Sequence, residues 1–418
     1  MTETRASIIT VSKGLLRLGN IRTLALTSMT TGVYLSLLGT ILQPFVVSNL
    51  GFSVTILGVL VAIGSRPLGL ASSIVQPFTG YLSDTLGRKL LIGIGSAVGI
   101  CSMASFLVAT MTHSLFSLSI GYVFLGLSIL GNPATQAMIA ETVEMDPGRL
   151  NVAFSLVFFF TALPGAVIPF AAGYLVQTFG FVLLFAAAAF LEAMNLLVMI
   201  PQLRETRTDL ASGGNQTSRR RFSFSRAILP PRGLVRLFVP FAMDAFFYGV
   251  GGAILYGIWV KQFGFTAGDI GLIFGALSVS TVLSQYPATK LLLRVGTRRT
   301  LALSEALTVV IMFGWLVTDS LPVFILLSVV FGISVALWVP AISALFMRAA
   351  PVEERGGISG KLAAFRGLIA APAPFIGGLL YASYGYYVPV SIGMLGEALT
   401  TLAILRLLPK KDSQAFLG

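Results

Sequence analysis

The sequence has very few of the residues that build disulfide frameworks and metal centres. One cysteine, Cys101, and one histidine, His113, occur in 418 residues. One thiol cannot form a disulfide framework, and one imidazole with one thiol cannot supply the usual ligands of a zinc site. We therefore expect no metal and no cofactor. Charged residues are also scarce, at 11% of the chain.

Catalytic and nucleotide-binding motifs are missing as well. The sequence has no G-x-S-x-G turn for a nucleophilic serine, and its single histidine cannot form an H-E-x-x-H pair. It also has no G-x-x-x-x-G-K-[ST] loop for binding phosphates. An enzyme is therefore the least expected class of protein, and a self-contained ATP-driven pump is excluded.

Apolar residues, in contrast, are abundant and occur in long runs. Hydrophobic residues make up 56% of the chain, and the mean hydropathy is +0.89. A chain with so little polar surface belongs in a membrane. With about 20 apolar residues per crossing, we predict twelve transmembrane helices, centred near residues 35, 66, 100, 128, 163, 191, 249, 280, 311, 335, 371 and 397. The predicted fold class is an all-α integral membrane protein.

The positive charges indicate the orientation of these helices. The net charge is +12, which raises the question of nucleic-acid binding. However, all lysines and arginines except Lys261 and Arg66 fall in segments predicted on one side of the membrane. Since such residues concentrate in cytoplasmic loops, we expect a multi-pass protein of the cell (inner) membrane with both termini cytoplasmic, and no nucleic-acid partner.

The chain divides into two halves of six predicted helices. The predicted organisation is a cytoplasmic N-terminal segment (1–20), a first bundle (21–201), a linker (202–232), a second bundle (233–409) and a cytoplasmic tail (410–418). The linker is the only long polar segment and contains Arg219-Arg220-Arg221. The halves resemble each other, because Gly87 recurs as Gly296 and Glu192 recurs as Glu397.

A short polar turn between the second and third predicted helices carries a recognisable motif. It reads Gly80-Tyr81-Leu82-Ser83-Asp84-Thr85-Leu86-Gly87-Arg88-Lys89. The motif resembles the signature of the major facilitator superfamily, and the residues that match it are Gly80, Leu82, Asp84, Gly87, Arg88 and Lys89.

The resemblance implies a fold, a mechanism and a conformational hinge. It implies two pseudo-symmetric six-helix bundles that enclose a substrate site and open alternately to each side. It also implies that Asp84 docks near Gly360, at the start of the eleventh helix, where a helix N-terminus attracts an anion. Arg88 and Arg149 are the expected basic neighbours of Asp84.

The resemblance to the drug-efflux branch is less complete. Tyr122 stands where that branch usually has an arginine in the fourth helix. Of the glycine-proline pattern of antiporters, the fifth helix keeps only Pro164-Gly165, Pro169 and Gly173. The substrate therefore cannot be named from these motifs.

Ionisable residues inside predicted helices are the main functional candidates, because their insertion costs several kcal/mol. Arg66 lies deep in the second helix, Asp244 about 12 Å into the seventh, and Arg366 at a similar depth in the eleventh. The resemblance implies that these helices meet, so we expect one charged cluster. Arg66 either binds substrate or forms a structural ion pair, and Asp244 either carries a coupling proton or forms a static pair.

Three glutamates receive structural interpretations. Glu192 and Glu397 lie on the sixth and twelfth helices, which the resemblance makes outer, supporting helices. Glu305 lies six residues after Arg299, so we expect an ion pair at the membrane interface. Asp244 is then the only acid in a helix that is predicted to line the cavity, and it is our candidate for proton coupling.

The predicted function is secondary active transport, and the form it favours is proton-coupled export of small amphipathic compounds. The predicted substrate-binding residues are Arg66, Tyr34, Gln43, Asn132, Gln136, Tyr248, Trp338 and Arg366. The expected partners are a small-molecule substrate, protons or another coupling ion, and the lipid bilayer, with the protein acting as a monomer. Two alternatives remain open: an importer or exchanger of organic anions, and a membrane receptor or scaffold that does not transport.

Overall fold

The computed structural model describes residues 8–143, 147–206, 228–349 and 355–409. Four predicted features lie wholly or partly outside the described residues: the N-terminal segment (1–7), the linker (207–227), the tail (410–418) and the side chain of Asp84. Within the described part the secondary structure is helical. Helices long and apolar enough to cross a membrane run through Gly19–Asn49, Arg88–Thr112, Leu115–Thr142, Val152–Gln202, Val235–Phe263, Ala267–Val295, Thr297–Leu316, Leu321–Ser343, Gly360–Tyr384 and Tyr387–Leu407.

These ten helices account for eleven spans, and two shorter helices form the twelfth. The long stretch Val152–Gln202 contains the fifth and sixth spans, which Gly180 separates with non-helical backbone angles. The second span is divided into Val54–Gly64 and Leu70–Leu86, each too short to be counted alone. The predicted all-α fold with twelve transmembrane helices is confirmed.

The same turn geometry recurs in both halves. Gly180, between the fifth and sixth spans, has φ 76°, and Gly385, between the eleventh and twelfth, has φ 79°. Gly87 and Gly296, which begin the third and ninth spans, have φ 94° and 83°. A side chain rarely adopts such angles, so glycine permits these sharp turns. The repeat seen in the sequence is thus also a repeat of backbone conformation.

Four spans are interrupted near their middle. The breaks fall at residues 65–69 in the second span, 163–167 in the fifth, 252–254 in the seventh and 371–372 in the eleventh. In a membrane the freed backbone groups need partners. In the second span, the carbonyl oxygen of Pro67 accepts hydrogen bonds from Ser72 Oγ at 2.8 Å and Gln76 Nε2 at 2.7 Å. Carriers use broken helices of this kind where irregular backbone borders a cavity.

The two halves pack differently at the two ends of the molecule. We call the end that carries residues 201–206 the linker end, and the opposite end the far end. At the far end one hydrophobic core joins side chains of both halves, such as Phe45 and Phe185 with Trp259 and Phe324. At the linker end each half has its own core. The described residues therefore hold the halves most tightly together at the far end.

Candidate functional site

A cavity of about 500 Å³ lies between the halves and is lined mainly by the second half. The first half contributes Gly39, Gln43 and Leu68. The polar and aromatic lining of the second half comprises Asp244, Tyr248, Tyr256, Trp259, Phe274, Ser304, Glu305, Thr308, Trp315, Ser328, Phe331, Ser334, Trp338, Arg366 and Glu397. The volume of the cavity is in the range of pockets that enclose a drug-sized molecule. We call it the central cavity.

Two predicted charged residues of the cavity form an ion pair. Arg366 Nη2 donates to Asp244 Oδ2 at 2.8 Å, and both side chains are 14% exposed. Arg366 Nε also donates to the carbonyl oxygen of Phe241 at 2.9 Å. The guanidinium carbon lies 4.8 Å from the centre of the Trp338 ring, which favours a cation–π contact. The contacts hold Arg366 in one orientation beside the carboxylate of Asp244.

Glu305 and Glu397 also lie in the central cavity, and this corrects two expectations. Glu305 does not form an interfacial ion pair, since it is 2% exposed and accepts a hydrogen bond from Trp338 Nε1 at 2.8 Å. Glu397 is 0% exposed and lines the cavity, although its helix was expected to be a supporting one. Asp244 is therefore not the only acid of the cavity.

The three acids form one compact group. One carboxylate oxygen each from Asp244, Glu305 and Glu397 lies within 4.8 Å of the others. We call these residues, with Arg366 and Trp338, the second-half cluster. Fully ionised, its acids carry three negative charges against the single positive charge of Arg366. The cluster therefore has an excess of acid.

A second polar group lies in the first half. Arg66 sits in the break of the second span and donates from Nη1 to the hydroxyl of Tyr34 at 2.5 Å. Glu192, which is 3% exposed, lies near enough to interact electrostatically with Arg66 and lies beside Asn195. We call Tyr34, Arg66, Glu192 and Asn195 the first-half cluster. The negative charge of Glu192 is balanced by the positive charge of Arg66.

The expectation that Arg66, Asp244 and Arg366 form one cluster is wrong. Asp244 and Arg366, both in the second half, pair with each other. Arg66 binds Tyr34, and both of these residues lie in the first half. The reason is the break in the second span, which leaves Arg66 in a turn instead of on a continuous helix face. Neither Arg66 nor Tyr34 is among the residues that line the central cavity.

Gln43 contributes to the cavity through the backbone of the seventh span. Its Nε2 donates to the carbonyl oxygen of Ala253, and its Oε1 accepts from the amide of Gly257, both at 2.8 Å. The first half thus satisfies backbone groups freed by the break in the second half. Asn132 and Gln136 are exposed and lie outside the described lining of this cavity. Their roles in binding remain predictions.

The hinge motif lies at the linker end and is tied to the start of the linker. Arg88 Nη2 pairs with Glu141 Oε1 at 2.9 Å, and Arg88 Nη1 donates to Ser83 Oγ at 2.7 Å. The carboxylate of Glu205 accepts from the amides of Arg88 and Lys89 at 3.1 and 3.0 Å. An acid at these positions suits the N-terminus of the third span.

The surroundings of the hinge include the eleventh span. Close approach is evident where a Cβ atom at Gly367 would overlap Ser73 Oγ of the second span. Arg149, the other predicted basic neighbour of Asp84, is exposed at the start of the fifth span. Docking of Asp84 near Gly360 remains a prediction.

The fold and cavity define a polytopic membrane carrier, and comparison with known proteins gives its family. The profile of the Major Facilitator Superfamily matches residues 24–260 and 236–417. The chain belongs to the major facilitator superfamily and is a transporter, not an enzyme.

Two curated relatives are bacterial drug-resistance proteins. The chain is 25% identical to Multidrug resistance protein MdtG of Dickeya zeae (strain Ech586) over 349 residues, 81% of this chain and 82% of that protein. It is 24% identical to Multidrug resistance protein 1 of Bacillus subtilis (strain 168) over 402 residues, 91% of this chain and 96% of that protein. The relatives agree with the efflux-like branch of the family.

A solved structure of similar fold is that of the nucleoside transporter NupG. It has a TM-score of 0.68 at 13% identity, over 93% of this chain and 98% of that one. At this identity the likeness shows the fold alone.

Proposed function

We propose that the protein exports small amphipathic compounds by alternating access, coupled to the inward movement of protons. The observation that carries this proposal is the central cavity, where aromatic side chains such as Trp259 and Trp338 border an excess of buried acid. Aromatic walls suit apolar parts of a substrate, and the acids suit positive charge or protons. The relatives whose names specify multidrug resistance support export.

The packing of the halves supports alternating access. Both ends must open and close in turn around a central site. The single core at the far end and the separate cores at the linker end correspond to a carrier closed at the far end. We further propose that the linker end faces the cytoplasm of a bacterial cell, with both termini there, because the basic loops lie at this end.

Asp244 is the acid we assign to proton coupling. In the described conformation Arg366 holds it at 2.8 Å, so its charge is compensated. If the opposite conformation separates the pair, Asp244 takes up a proton, because a lone buried carboxylate is costly. The proton then crosses with the conformational change.

The cavity favours this proposal over import or exchange of organic anions. An anion carrier would need an unpaired positive charge in its site. Among the described residues, Arg366 is paired with Asp244, and Arg66 is bound to Tyr34 outside the central cavity. The remaining charges of the cavity belong to acids, which repel a carboxylate ligand.

Transport by purified protein in liposomes tests the proposal. A panel of amphipathic cations and carboxylates should be compared with and without a pH gradient. We expect the cations to move against their gradient in exchange for protons, and the movement to stop when a protonophore collapses the pH gradient. Gradient-independent transport of carboxylates would favour the organic-anion alternative, and no transport of any compound would favour a receptor.

The hinge residue Asp84 gives a separate test of alternating access. Asp84→Ala should remove the docking at the eleventh span and shift the carrier towards the conformation that is open at the linker end. We expect slower transport and little change in the temperature of unfolding. Crosslinking between cysteines introduced at the linker ends of the second and eleventh spans measures the shift, and an unchanged yield with normal transport contradicts this role.

A further inference from the structure

The second-half cluster contains an acid that no described group satisfies. Both carboxyl oxygens of Glu397 are buried and have no hydrogen-bond donor in the described structure. The side chain nevertheless lines the central cavity. An ionised carboxylate in such a place is expensive unless a cation compensates it. The site therefore requires positive charge from a proton or a ligand.

The other groups that face Glu397 do not supply this charge. On the seventh span, Asp244 is neutralised by Arg366 of the eleventh span, and Tyr248 is a neutral phenol. On the ninth span, Glu305 receives one hydrogen bond from Trp338 and adds a further negative charge. Arg366 offsets the charge of Asp244 only. The negative charges of Glu305 and Glu397 therefore have no positive counterpart among these groups.

One carboxylate oxygen of Glu305 and one of Glu397 lie within 4.8 Å of each other. Two carboxyl groups this near can share a hydrogen bond only when one of them carries a proton. Since two like charges at this distance repel strongly, a single shared proton is the simplest arrangement for an empty cavity. The pair then holds one proton and one negative charge.

The rest of the cavity indicates which ligand would replace that proton. Its walls include the rings of Tyr248, Trp259, Phe331 and Trp338. Aromatic faces attract ammonium and similar groups, and the attraction strengthens when water is excluded. A small metal ion would gain little from these walls and would lie beside the guanidinium of Arg366. A bulky organic cation fits both the charge and the volume of about 500 Å³.

We propose that Glu305 and Glu397 form the recognition site for the positive group of an organic cation and share one proton while the cavity is empty. When the cation binds, the shared proton leaves to water. The pair gains one negative charge and the cation brings one positive charge, so the net charge of the cavity is unchanged. This inference rests on the proposed function and specifies its substrate class.

Binding by the purified full-length protein in detergent tests the inference. The probe is tetraphenylphosphonium, titrated between about pH 6 and about pH 8 while tryptophan fluorescence reports binding and an indicator dye reports released protons. We expect release of about one proton for each cation bound, and affinity that rises up to about tenfold per pH unit in the range where the pair is protonated. Binding that is independent of pH, or no binding, overturns the inference.

Variants identify the groups that hold the proton. Glu305→Gln and Glu397→Gln should each bind the probe without releasing a proton, and their affinity should not change with pH. The matched control is Glu192→Gln, since Glu192 is the buried counterpart of Glu397 in the first half and lies outside the lining of the cavity. It should release as many protons as the parent protein. If one of the two cavity variants does not fold, the other is enough for this test, provided that it elutes as a monodisperse species.

Two further outcomes separate this inference from the proposed function. Proton release retained in both cavity variants, or Mn²⁺ displacing the probe at equal concentration, would contradict a site for organic cations on these residues. A parent protein that performs gradient-driven transport but releases no proton on binding would preserve the proposed function and overturn the inference. A protein that releases the proton on binding but transports nothing would preserve the inference and overturn the proposed function.

Discussion

The first and second halves of the molecule both bury ionisable side chains, but they balance these charges differently. In the first-half cluster, Arg66 and Glu192 have opposite charges, and Tyr34 and Asn195 add neutral polar groups. In the second-half cluster, three acids face one arginine. Glu192 and Glu397 occupy equivalent places in the repeat. The duplicated framework therefore retains a buried glutamate in each half, but only the second half exposes it to the cavity.

This difference gives each half a distinct role in our account. A balanced cluster has no need of an external charge and serves mainly to hold the break in the second span. An unbalanced cluster must acquire protons or a cation, because buried excess charge is costly. Proton coupling and cation recognition are therefore both assigned to the second half, and the first half closes the cavity.

The largest expected effect comes from removing the arginine of each cluster in turn. Arg366→Ala leaves a third acid uncompensated, and breaking a buried ion pair costs about 3–5 kcal/mol. Arg66→Ala removes the hydrogen bond to Tyr34 and a positive charge that acts on Glu192 without a hydrogen bond to it, so it should cost less, about 1–3 kcal/mol. The midpoint of thermal unfolding in detergent compares them. Asp244→Asn should partly restore the stability of Arg366→Ala, and equal losses in the two single variants would contradict the comparison.

The next effect concerns the surface on which the halves meet. A Cβ atom at Gly58 would overlap the carbonyl oxygen of Pro374 in the other half. Gly58→Val should therefore hinder closure at the far end, with a strain of about 1–3 kcal/mol that slows transport by about tenfold. Initial rates in liposomes measure it.

The matched control for Gly58→Val is Gly93→Val in the third span. Outside its own helix, a Cβ atom at Gly93 meets only side chains, those of Leu196 and Ile200, at 3.7 and 3.9 Å. We expect this variant to transport at nearly the rate of the parent protein. If both valine variants slow transport equally, contact between the halves is not the cause.

The smallest effect should come from single hydrogen bonds in the two clusters. Trp338→Phe and Tyr34→Phe each remove one hydrogen-bonding group and should cost about 1 kcal/mol of stability. Only Trp338→Phe should alter the pH dependence of cation binding. Its N–H stabilises the ionised form of Glu305, so without it the shared proton is held more tightly and binding shifts to higher pH. Equal shifts in both variants would remove the distinction between the halves.

The sequence alone was sufficient to predict the architecture, because length and hydropathy determine how many helices cross a bilayer. The rise per residue also gave the depth of Asp244 and Arg366 along their helices, and the family resemblance implied that these helices meet. The predicted third member of the cluster, Arg66, lies elsewhere, because depth along a helix does not determine where a break redirects a side chain.

The sequence was not sufficient for the remaining acids. Whether Glu397 faces the cavity depends on the rotation and tilt of its helix, and neither follows from the position of a residue along the span. Glu305 was assigned to the interface by its distance from Arg299, although it too lies inside an apolar helix. The missed signal was the cost of burying any acid in a membrane, which applied to all three residues alike.

The most direct test of the assignment of coupling to the second half is the transport of ethidium by Asp244→Asn in liposomes. Accumulation in vesicles with an acidic interior should be compared with ethidium exchange at equal pH on both sides. We predict that the variant accumulates less ethidium than the parent protein but retains exchange, because the proton carried by Asp244 is gone while the binding pair Glu305 and Glu397 remains. Accumulation equal to that of the parent protein would contradict the account.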